Sequence, residues 1–447
     1  MRIGVFGHVG NQNLGDEALI AAVVQNVRRR CGEAELRGFT ARPHDTSQRH
    51  RIPAFPIRRM TDGGRAPATA HAAASGGLGL NAGPDESPGI GARLRALLKR
   101  VPLLRTVVRR ARQVGRVAIG VPAELAFLVH AYRHLRGTDL LLVAGSGQLS
   151  DYWGGAWGFP FTLFKWSLLA RMTRTKVAFL SLGAGPLRTR LGKFFIKQTV
   201  RLAAYRSYRD DDSRRCIVDL GIAGKHRVVP DLVLSLDVDP QPAPPQSRGP
   251  GRRQVVGINP MPVFDDAYYP VSDPRVFGKY VETLAAFADW LIERGYVVRF
   301  FATQLLVDHG VIDKVQGRMQ QGPMLAGEQR VFAGRIGSFE ELVSVLDSVD
   351  FVVATRYHGT LFALIRHKPV LSIAYHPKSR ELMRQMGRAE YAIDIAELTF
   401  AALQERFVAL ERDSAEFVAG VRQRLPEVRG ALDAQYDHTF RLVEAVS

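Results

Sequence analysis

Short apolar runs alternate with longer stretches of helical spacing through most of the chain. Arg2–Gly7, Glu35–Thr40, Asp139–Ala144, Lys176–Leu182, Tyr205–Arg209 and Arg227–Val229 read as strands. Ala18–Arg30, between the first two, repeats apolar residues at helical intervals. A second series follows, with strands at Gln254–Asn259, Tyr296–Ala302, Arg330–Ala333, Asp350–Ala354 and Pro369–Tyr375. Within it, Ser338 followed three positions later by Glu341 is a capping-box start for a helix. Alternating strands and helices predict parallel α/β sheets, so the fold class is α/β with two Rossmann-like domains facing across a cleft. The N-terminal domain covers 1–238, and a proline-rich linker covers 239–253. The C-terminal domain covers 254–395, and a helical tail, 396–447, is free to pack on either half. One region breaks the alternation. Residues 61–136 form an insertion that begins as an Ala, Gly, Ser and Pro-rich stretch, read as flexible, and ends as basic helix.

Composition narrows the picture. At 447 residues the chain exceeds a single core, and 46% apolar content is ordinary for a globular protein. Cys31 and Cys216 lie far apart, with neither a disulfide framework nor metal-like spacing. That usage fits a reducing cytoplasm. Met1–Phe6 reads as a first strand rather than a signal peptide, and no apolar run reaches the roughly 18 residues of a spanning helix. The longest candidate, Val117–Val129, is interrupted by Pro122 and Glu124. The net charge of +18 is uneven: Arg93–Arg116 holds nine Arg or Lys and no acid, interleaved with leucines and valines. Such a stretch suits an anionic membrane surface or a protein partner, and equally a solvated Arg-rich helix pair broken at Pro102. No nucleic-acid motif accompanies the charge, so nucleic acid is not an expected partner.

Two turns carry the candidate chemistry. The first, Gly7-His8-Val9-Gly10-Asn11-Gln12-Asn13-Leu14-Gly15-Asp16-Glu17, joins the first strand to the first helix. It lacks the spacing of a dinucleotide fingerprint and the Gly-Lys-Ser/Thr of a P-loop. Its glycines admit a close backbone approach, while Asp16 and Glu17 could simply complement the helix dipole. The second turn is Ala354-Thr355-Arg356-Tyr357-His358-Gly359-Thr360, between an apolar strand and a helical run starting at Leu361. One strand later the chain reads His376-Pro377-Lys378. If the two strands are neighbours, Arg356, His358, His376 and Lys378 meet at one crevice, beside a helix N-terminus formed by Gly359 and Thr360. So many cationic candidates predict a small, highly charged anion.

The order and spacing of Gly-x-x-Gly-x-x-Asn-x-Gly-Asp-Glu-Ala and of Arg-x-His-Gly, followed by a helix, a strand and His-Pro-Lys, resemble the polysaccharide pyruvyl transferase family across nearly the whole chain. The resemblance implies a fold similar to GT-B glycosyltransferases. It also implies phosphoenolpyruvate as donor and a sugar diol as acceptor, on a polysaccharide or a lipid-linked precursor. The product would be a cyclic pyruvate ketal, with phosphate released. Family similarity places Arg209, at the end of the strand Tyr205–Tyr208, across the cleft from Arg356; a salt bridge to the following aspartates is the plain alternative. The chain departs from relatives at Ala144-Gly145-Ser146-Gly147, where a Gly-Gly-Gly turn is common.

Binding a donor that carries a carboxylate and a phosphate calls for several cations and a planar fork. Arg356 and Arg209 are the expected forks, with Gly359, Thr360, His376 and Lys378 beside them. His358 and Asp16 are the expected acid or base groups. Gly10, Asn13, Gly15, Glu17, Gly147 and Asp151 are expected to line the acceptor side. No metal or cofactor is called for. Two other readings stay open: a GT-B glycosyltransferase using a nucleotide sugar, and a non-catalytic membrane-associated scaffold in polysaccharide assembly. Arg356-Tyr357-His358-Gly359, where such glycosyltransferases carry a ribose-binding glutamate, disfavours the first.

Overall fold

In the computed structural model the described residues are 1–7, 12–59, 122–152, 154–238, 253–265, 268, 272–322, 324–325 and 328–444. Gly10, the linker residues 239–252 and the basic stretch Arg93–Arg116 lie outside them. Of the expected insertion, residues 122–135 are described and are helical.

The N-terminal strands are β1 (Arg2–Gly7), β2 (Glu35–Thr40), β3 (Ala54–Pro56), β4 (Leu140–Ala144), β5 (Lys176–Leu182), β6 (Tyr205–Tyr208) and β7 (Arg227–Val228). They form a parallel sheet in the order β3-β2-β1-β4-β5-β6-β7. Ile3 pairs with Leu140 and Phe6 with Val143. Side chains alternate across the sheet. Ile3, Val5, Leu140 and Leu142 therefore enter one core, and Phe6, Leu141, Val143 and Phe179 the other. Both faces are covered, which is why these strands read as unbroken apolar runs.

The C-terminal strands are β8 (Val255–Asn259), β9 (Val297–Phe300), a short hairpin β10 (Met324–Leu325) and β11 (Glu328–Gln329), then β12 (Val331–Phe332), β13 (Phe351–Ala354), β14 (Val370–Ala374) and β15 (Ala392–Asp394). The sheet order is β12-β9-β8-β13-β14-β15, again all parallel. Each sheet thus reverses its winding once, between β1 and β4 and between β8 and β13. Crevices open at the carboxyl ends of strands at such switch points. Asn13 forms an antiparallel bridge with Gln304, Leu14 N–H donates to Thr303 O (2.9 Å), and Leu305 N–H donates to Gln12 O (3.0 Å). The two switch points therefore face each other, tied by main chain.

The predicted strands are present with ends shifted by one or two residues. β3 and β15 were not foreseen, because three residues at a sheet edge carry too little periodicity. Two helices start earlier than their spacing suggests. Asn13 caps the first, Leu14–Arg30, by accepting from Gly15 N–H (3.0 Å), so Gly15, Asp16 and Glu17 occupy its first turn. The helix after β13 runs from Tyr357 to Ile365, with Arg356 at its N-cap position. At Ser338 the expected cap is formed: its hydroxyl accepts from Glu341 N–H (3.2 Å).

The tail packs on both halves: the helix Phe400–Arg412 lies on the C-terminal domain, where Phe407 meets Phe287 and Phe351. The helix Ser414–Glu444 leaves the C-terminal domain, where Arg424 donates to Gln385 O (3.0 Å) and Arg388 to Glu416 O (2.7 Å). It then crosses to the N-terminal domain. There Arg29 and Arg30 bond to Asp433, Arg30 to Asp437, and Arg429 to Leu234 O (3.0 Å). Leu432 is fully buried in that contact. Leu432→Ala should cost about 2–5 kcal/mol through the cavity it leaves, read as a lowered urea midpoint with unchanged slope.

Candidate active site

A cavity of about 720 Å³ opens between the two switch points. Its N-terminal wall includes Asn13, Asp16, Gly147, Gln148 and Arg209; its C-terminal wall includes Tyr268, Gln304, Arg356, Tyr357, His358, Tyr375, His376 and Lys378. Four helices among the described residues begin at its edge, Leu14–Arg30, Asp211–Val218, Tyr357–Ile365 and Pro377–Gln385. Each N-terminus leaves main-chain N–H groups without an intrahelical acceptor and a partial positive charge. Together with three cationic side chains, this makes the cavity a site for an anion of more than one charge.

Arg356 sits where β13 gives way to its helix. Its Nε donates to Asp308 Oδ1 (2.9 Å), and Nη2 donates to the same oxygen. Asp308 is fully buried, and its other oxygen accepts from Thr303 N–H (3.0 Å) and Gln304 N–H (2.8 Å). One edge of the expected fork is therefore committed to Asp308, which aims the guanidinium. Arg209, from β6, lies over the Tyr357 ring (5.0 Å), with Nη1 3.7 Å from Asp231 and Nε 3.4 Å from Asp210. It lines the cavity and is paired with aspartates at once. Its approach depends on Gly183, where a β-carbon would come within 2.9 Å of Nη2 and 3.2 Å of Gly147 Cα. Tyr357, from the C-terminal domain, and Asp231, from the N-terminal domain, both flank Arg209, so it is held at the domain junction.

His358 occupies the first helical turn and packs on Gly15, where a β-carbon would fall into the imidazole, against Nδ1 and Cγ. Its Nε2 is buried without a hydrogen-bond partner. Burial pulls its pKa down to about 4; Lys378, Arg209 and Arg356 act the same way and Asp231 opposes them. Asp16 behaves in the opposite sense. Burial pushes its carboxyl up to about 7, helped by Glu17 and Asp231 and opposed by Lys378 and Arg209. Near neutrality the imidazole is uncharged while the carboxyl still holds a proton in a large fraction of molecules. Lys378 lies 5.4 Å from the Tyr357 ring centre and 5.3 Å from that of Tyr375. Burial works against ionisation of Tyr375, yet Lys378, Arg356 and Arg209 hold its phenol below the usual tyrosine range.

The remaining expected residues divide. Asn13, Gly147 and His376 line the cavity, and His376 Nδ1 also accepts from Lys378 N–H (3.3 Å) as the cap of its helix. Gly15 supports His358 from below. Four others do not line it. Glu17 is buried against His50 Nε2 (3.1 Å). Asp151 accepts from Arg188 N–H (2.9 Å) and from Thr189 N–H (2.7 Å) and hydroxyl, so it organises a loop. Gly359 gives Asn259 room, and Thr360 bonds to Ser372 (3.1 Å) in the core. Periodicity marks the first turn of a helix without saying which of its residues face outward. Asp231, Asp308, Tyr268, Tyr357 and Tyr375 escaped the sequence reading. Of these, Tyr357 and Tyr375 adjoined the quoted motifs, whereas Asp231 is an ordinary N-cap and Asp308 one acidic residue in the first turn of a helix.

A model of the polysaccharide pyruvyl transferase family matches residues 13–377. The chain belongs to that family. Polysaccharide pyruvylation is therefore its general activity, and the protein is a transferase. Among solved structures it is similar to a UDP-GlcNAc 2-epimerase of Neisseria meningitidis bound to UDP-GlcNAc, with 11% identity, TM-score 0.54, and coverage of 98% of this chain and 99% of that one. The spinosyn rhamnosyltransferase SpnG aligns over 100% of both chains at 12% identity with a TM-score of 0.48. At such identities the likeness concerns the fold alone, two Rossmann-like domains in the GT-B manner.

The fit of His358 on Gly15 predicts a coupled pair. Gly15→Ala should destabilise the protein although alanine favours helix by about 0.5–1 kcal/mol. In the Gly15→Ala/His358→Ala double variant most of that loss should be recovered. A thermal-denaturation double-mutant cycle with no coupling would show that the ring moves aside freely.

Proposed function

We propose that this transferase moves the pyruvyl group of phosphoenolpyruvate onto two hydroxyls of a sugar in a polysaccharide or its lipid-linked precursor. The observation that carries the reading is the cavity itself. Arg209, Arg356 and Lys378 converge with four helix N-termini, beside one carboxyl with a raised pKa and two imidazoles, His358 and His376, with lowered pKa values. A donor with a phosphate and a carboxylate on three carbons matches that charge, and the volume leaves room for a sugar ring.

In this reading the cations hold the two anionic groups of the donor, and Asp308 keeps Arg356 oriented. Asp16, still protonated near neutral pH, delivers its proton to the methylene carbon, which becomes the methyl group. The enol carbon then carries oxocarbenium character. A first sugar hydroxyl adds to it, and its proton passes to a base. In this reading that base is Nε2 of His358, in the tautomer protonated on Nδ1, uncharged near neutrality and without a protein hydrogen-bond partner. A second hydroxyl on the same sugar displaces phosphate, closing the ketal; its proton leaves with phosphate or returns to Asp16. Two hydroxyl protons are lost, one carbon proton is gained, and phosphate departs. Cations that bind the donor phosphate also stabilise the leaving group.

Arg356→Ala should weaken phosphoenolpyruvate binding by about 2–4 kcal/mol, and Arg356→Lys should restore part of it, because an ammonium lacks the fork. Titration calorimetry on folded protein measures this. Unchanged donor affinity, or saturable binding of a nucleotide sugar in its place, would remove the donor assignment.

The acid role of Asp16 has a signed pH dependence. The reactive form has Asp16 protonated and His358 neutral, so kcat/KM should be level between about pH 4 and about pH 7 and fall toward tenfold per unit above that. Asp16→Asn should lower turnover by roughly 10²-fold or more and abolish that limb. Phosphate release with a diol acceptor is the assay. A limb that survives in Asp16→Asn would belong to another group.

A further inference from the structure

Beside the cavity, the N-terminal domain presents an apolar face that its own core does not use. The helices Phe159–Met172 and Arg190–Leu202 pack side by side against the sheet. Between and beyond them lies an aromatic cluster. Trp157 meets Phe161 (5.0 Å between ring centres) and Phe195 (5.7 Å), and Phe164 meets Phe195 (5.3 Å) and Phe194 (6.4 Å). Part of the cluster is buried, but its outer members are not. Trp157 is 66% exposed, Met172 61% and Phe194 50%, with Leu168 and Leu191 also exposed. Phe161, Phe164, Leu168 and Met172 recur at helical spacing, so they form one stripe, and Leu191 and Phe194 form another on the neighbouring helix.

The charge around this face is one-sided. Between Asp151 and Asp210 the chain holds eleven Arg or Lys and not a single acidic residue. Arg171, Arg174, Lys176, Arg188, Arg190, Lys193 and Arg201 are exposed. Lys165 is the exception on the stripe-bearing helix: it turns inward to Glu124 (2.5 Å) of the adjoining helical segment 122–135. Exposed aromatics among many cations, with the carboxylate of Glu124 taken up by Lys165, match a surface that is negative at its headgroups and apolar just beneath.

We propose that this face docks on an anionic lipid bilayer, with Trp157, Phe194, Leu191, Leu168 and Met172 entering the interface and the surrounding Arg and Lys meeting acidic headgroups. The face adjoins the reaction cavity. The short 3₁₀ turn Gly155–Trp157 is followed at once by Phe159, and both Tyr152 and Phe159 line the cavity wall. Docking would therefore bring the cavity mouth close to the headgroup layer, where a glycan carried on a membrane lipid would be presented. The inference concerns where the protein works; it holds whatever group the cavity transfers. It is also separate from the stretch Arg93–Arg116, which lies in another part of the sequence.

Flotation of the full chain with vesicles tests it. At low salt the wild type should float with vesicles of phosphatidylglycerol and phosphatidylcholine in roughly equal parts, should remain below with phosphatidylcholine alone, and should be released as salt rises. Trp157→Ser/Phe194→Ser should lower the bound fraction at least about tenfold, and so should Lys193→Glu/Arg190→Glu. All four positions are exposed, so circular dichroism and thermal midpoint should stay near wild type. As a parallel arm, Arg109→Glu/Arg110→Glu/Arg112→Glu should leave a substantial part of the binding. Three results would overturn the proposal. Wild type that stays below with anionic vesicles removes the membrane. Undiminished flotation of both patch variants moves the contact to another region. A concentration-dependent dimer that only the patch variants lose, seen by sedimentation velocity, makes the face a contact between two copies.

Discussion

The site depends on one close approach, between the first helical turn of the N-terminal domain and the first helical turn after β13. Gly15 has no β-carbon, so the imidazole of His358 can lie directly on its backbone. The same junction is tied by the bridge between Asn13 and Gln304 and by the hydrogen bonds of Leu14 to Thr303 and Leu305 to Gln12. Backbone pairing sets the distance between the halves, and a missing side chain sets how near the ring can come. Asp16, one residue on, is thereby enclosed beside Glu17 and Asp231 on its own side and opposite Lys378, which is why its carboxyl resists ionisation.

Electrostatics in the cavity follow from topology more than from the number of charges. Parallel strands feed each following helix from the same end of the sheet, so helix N-termini gather at the carboxyl edge. With two sheets facing, four such termini meet. Arg209 and Arg356 are each braced by buried carboxylates, Asp231 and Asp308 respectively. A braced guanidinium loses less freedom when an anion arrives, so more of the contact energy is available for binding.

Around this centre the protein separates two kinds of positive charge. Inside, the cations are few, half-buried and individually positioned. Outside, on the helices Phe159–Met172 and Arg190–Leu202, they are many, exposed and interleaved with aromatic residues. The helix Ser414–Glu444 returns over the N-terminal domain and joins the halves at a third place, away from both. The cleft is thus held by a hinge of main-chain bonds at its floor and a long helix across its back.

The sequence by itself determined the alternation of elements, the division into two parallel sheets, and the turns at Asn13–Glu17 and Arg356–Thr360. Those features are local: apolar period, capping residues and glycine placement act over a few positions. It also indicated that Arg356, His358, His376 and Lys378 could meet if their two strands were neighbours, while Arg209 was placed opposite them by family resemblance alone. Tertiary structure alone decided which residues of each turn face inward. Asp16 is in the wall, while Glu17 bonds to His50; His358 is in the wall, while Gly359 and Thr360 are packed against Asn259 and Ser372. It alone supplied Asp231 and Asp308, which stand far from their arginine partners in the chain or carry an unremarkable capping pattern. The return of the last helix to the N-terminal half rests on Arg29 and Arg30 meeting Asp433 and Asp437, a pairing across some four hundred residues. The reason is common to all of these. Each depends on contacts between segments remote in sequence, and the pKa values that give Asp16 and His358 their opposite characters arise from burial that exists once both domains have closed on one another.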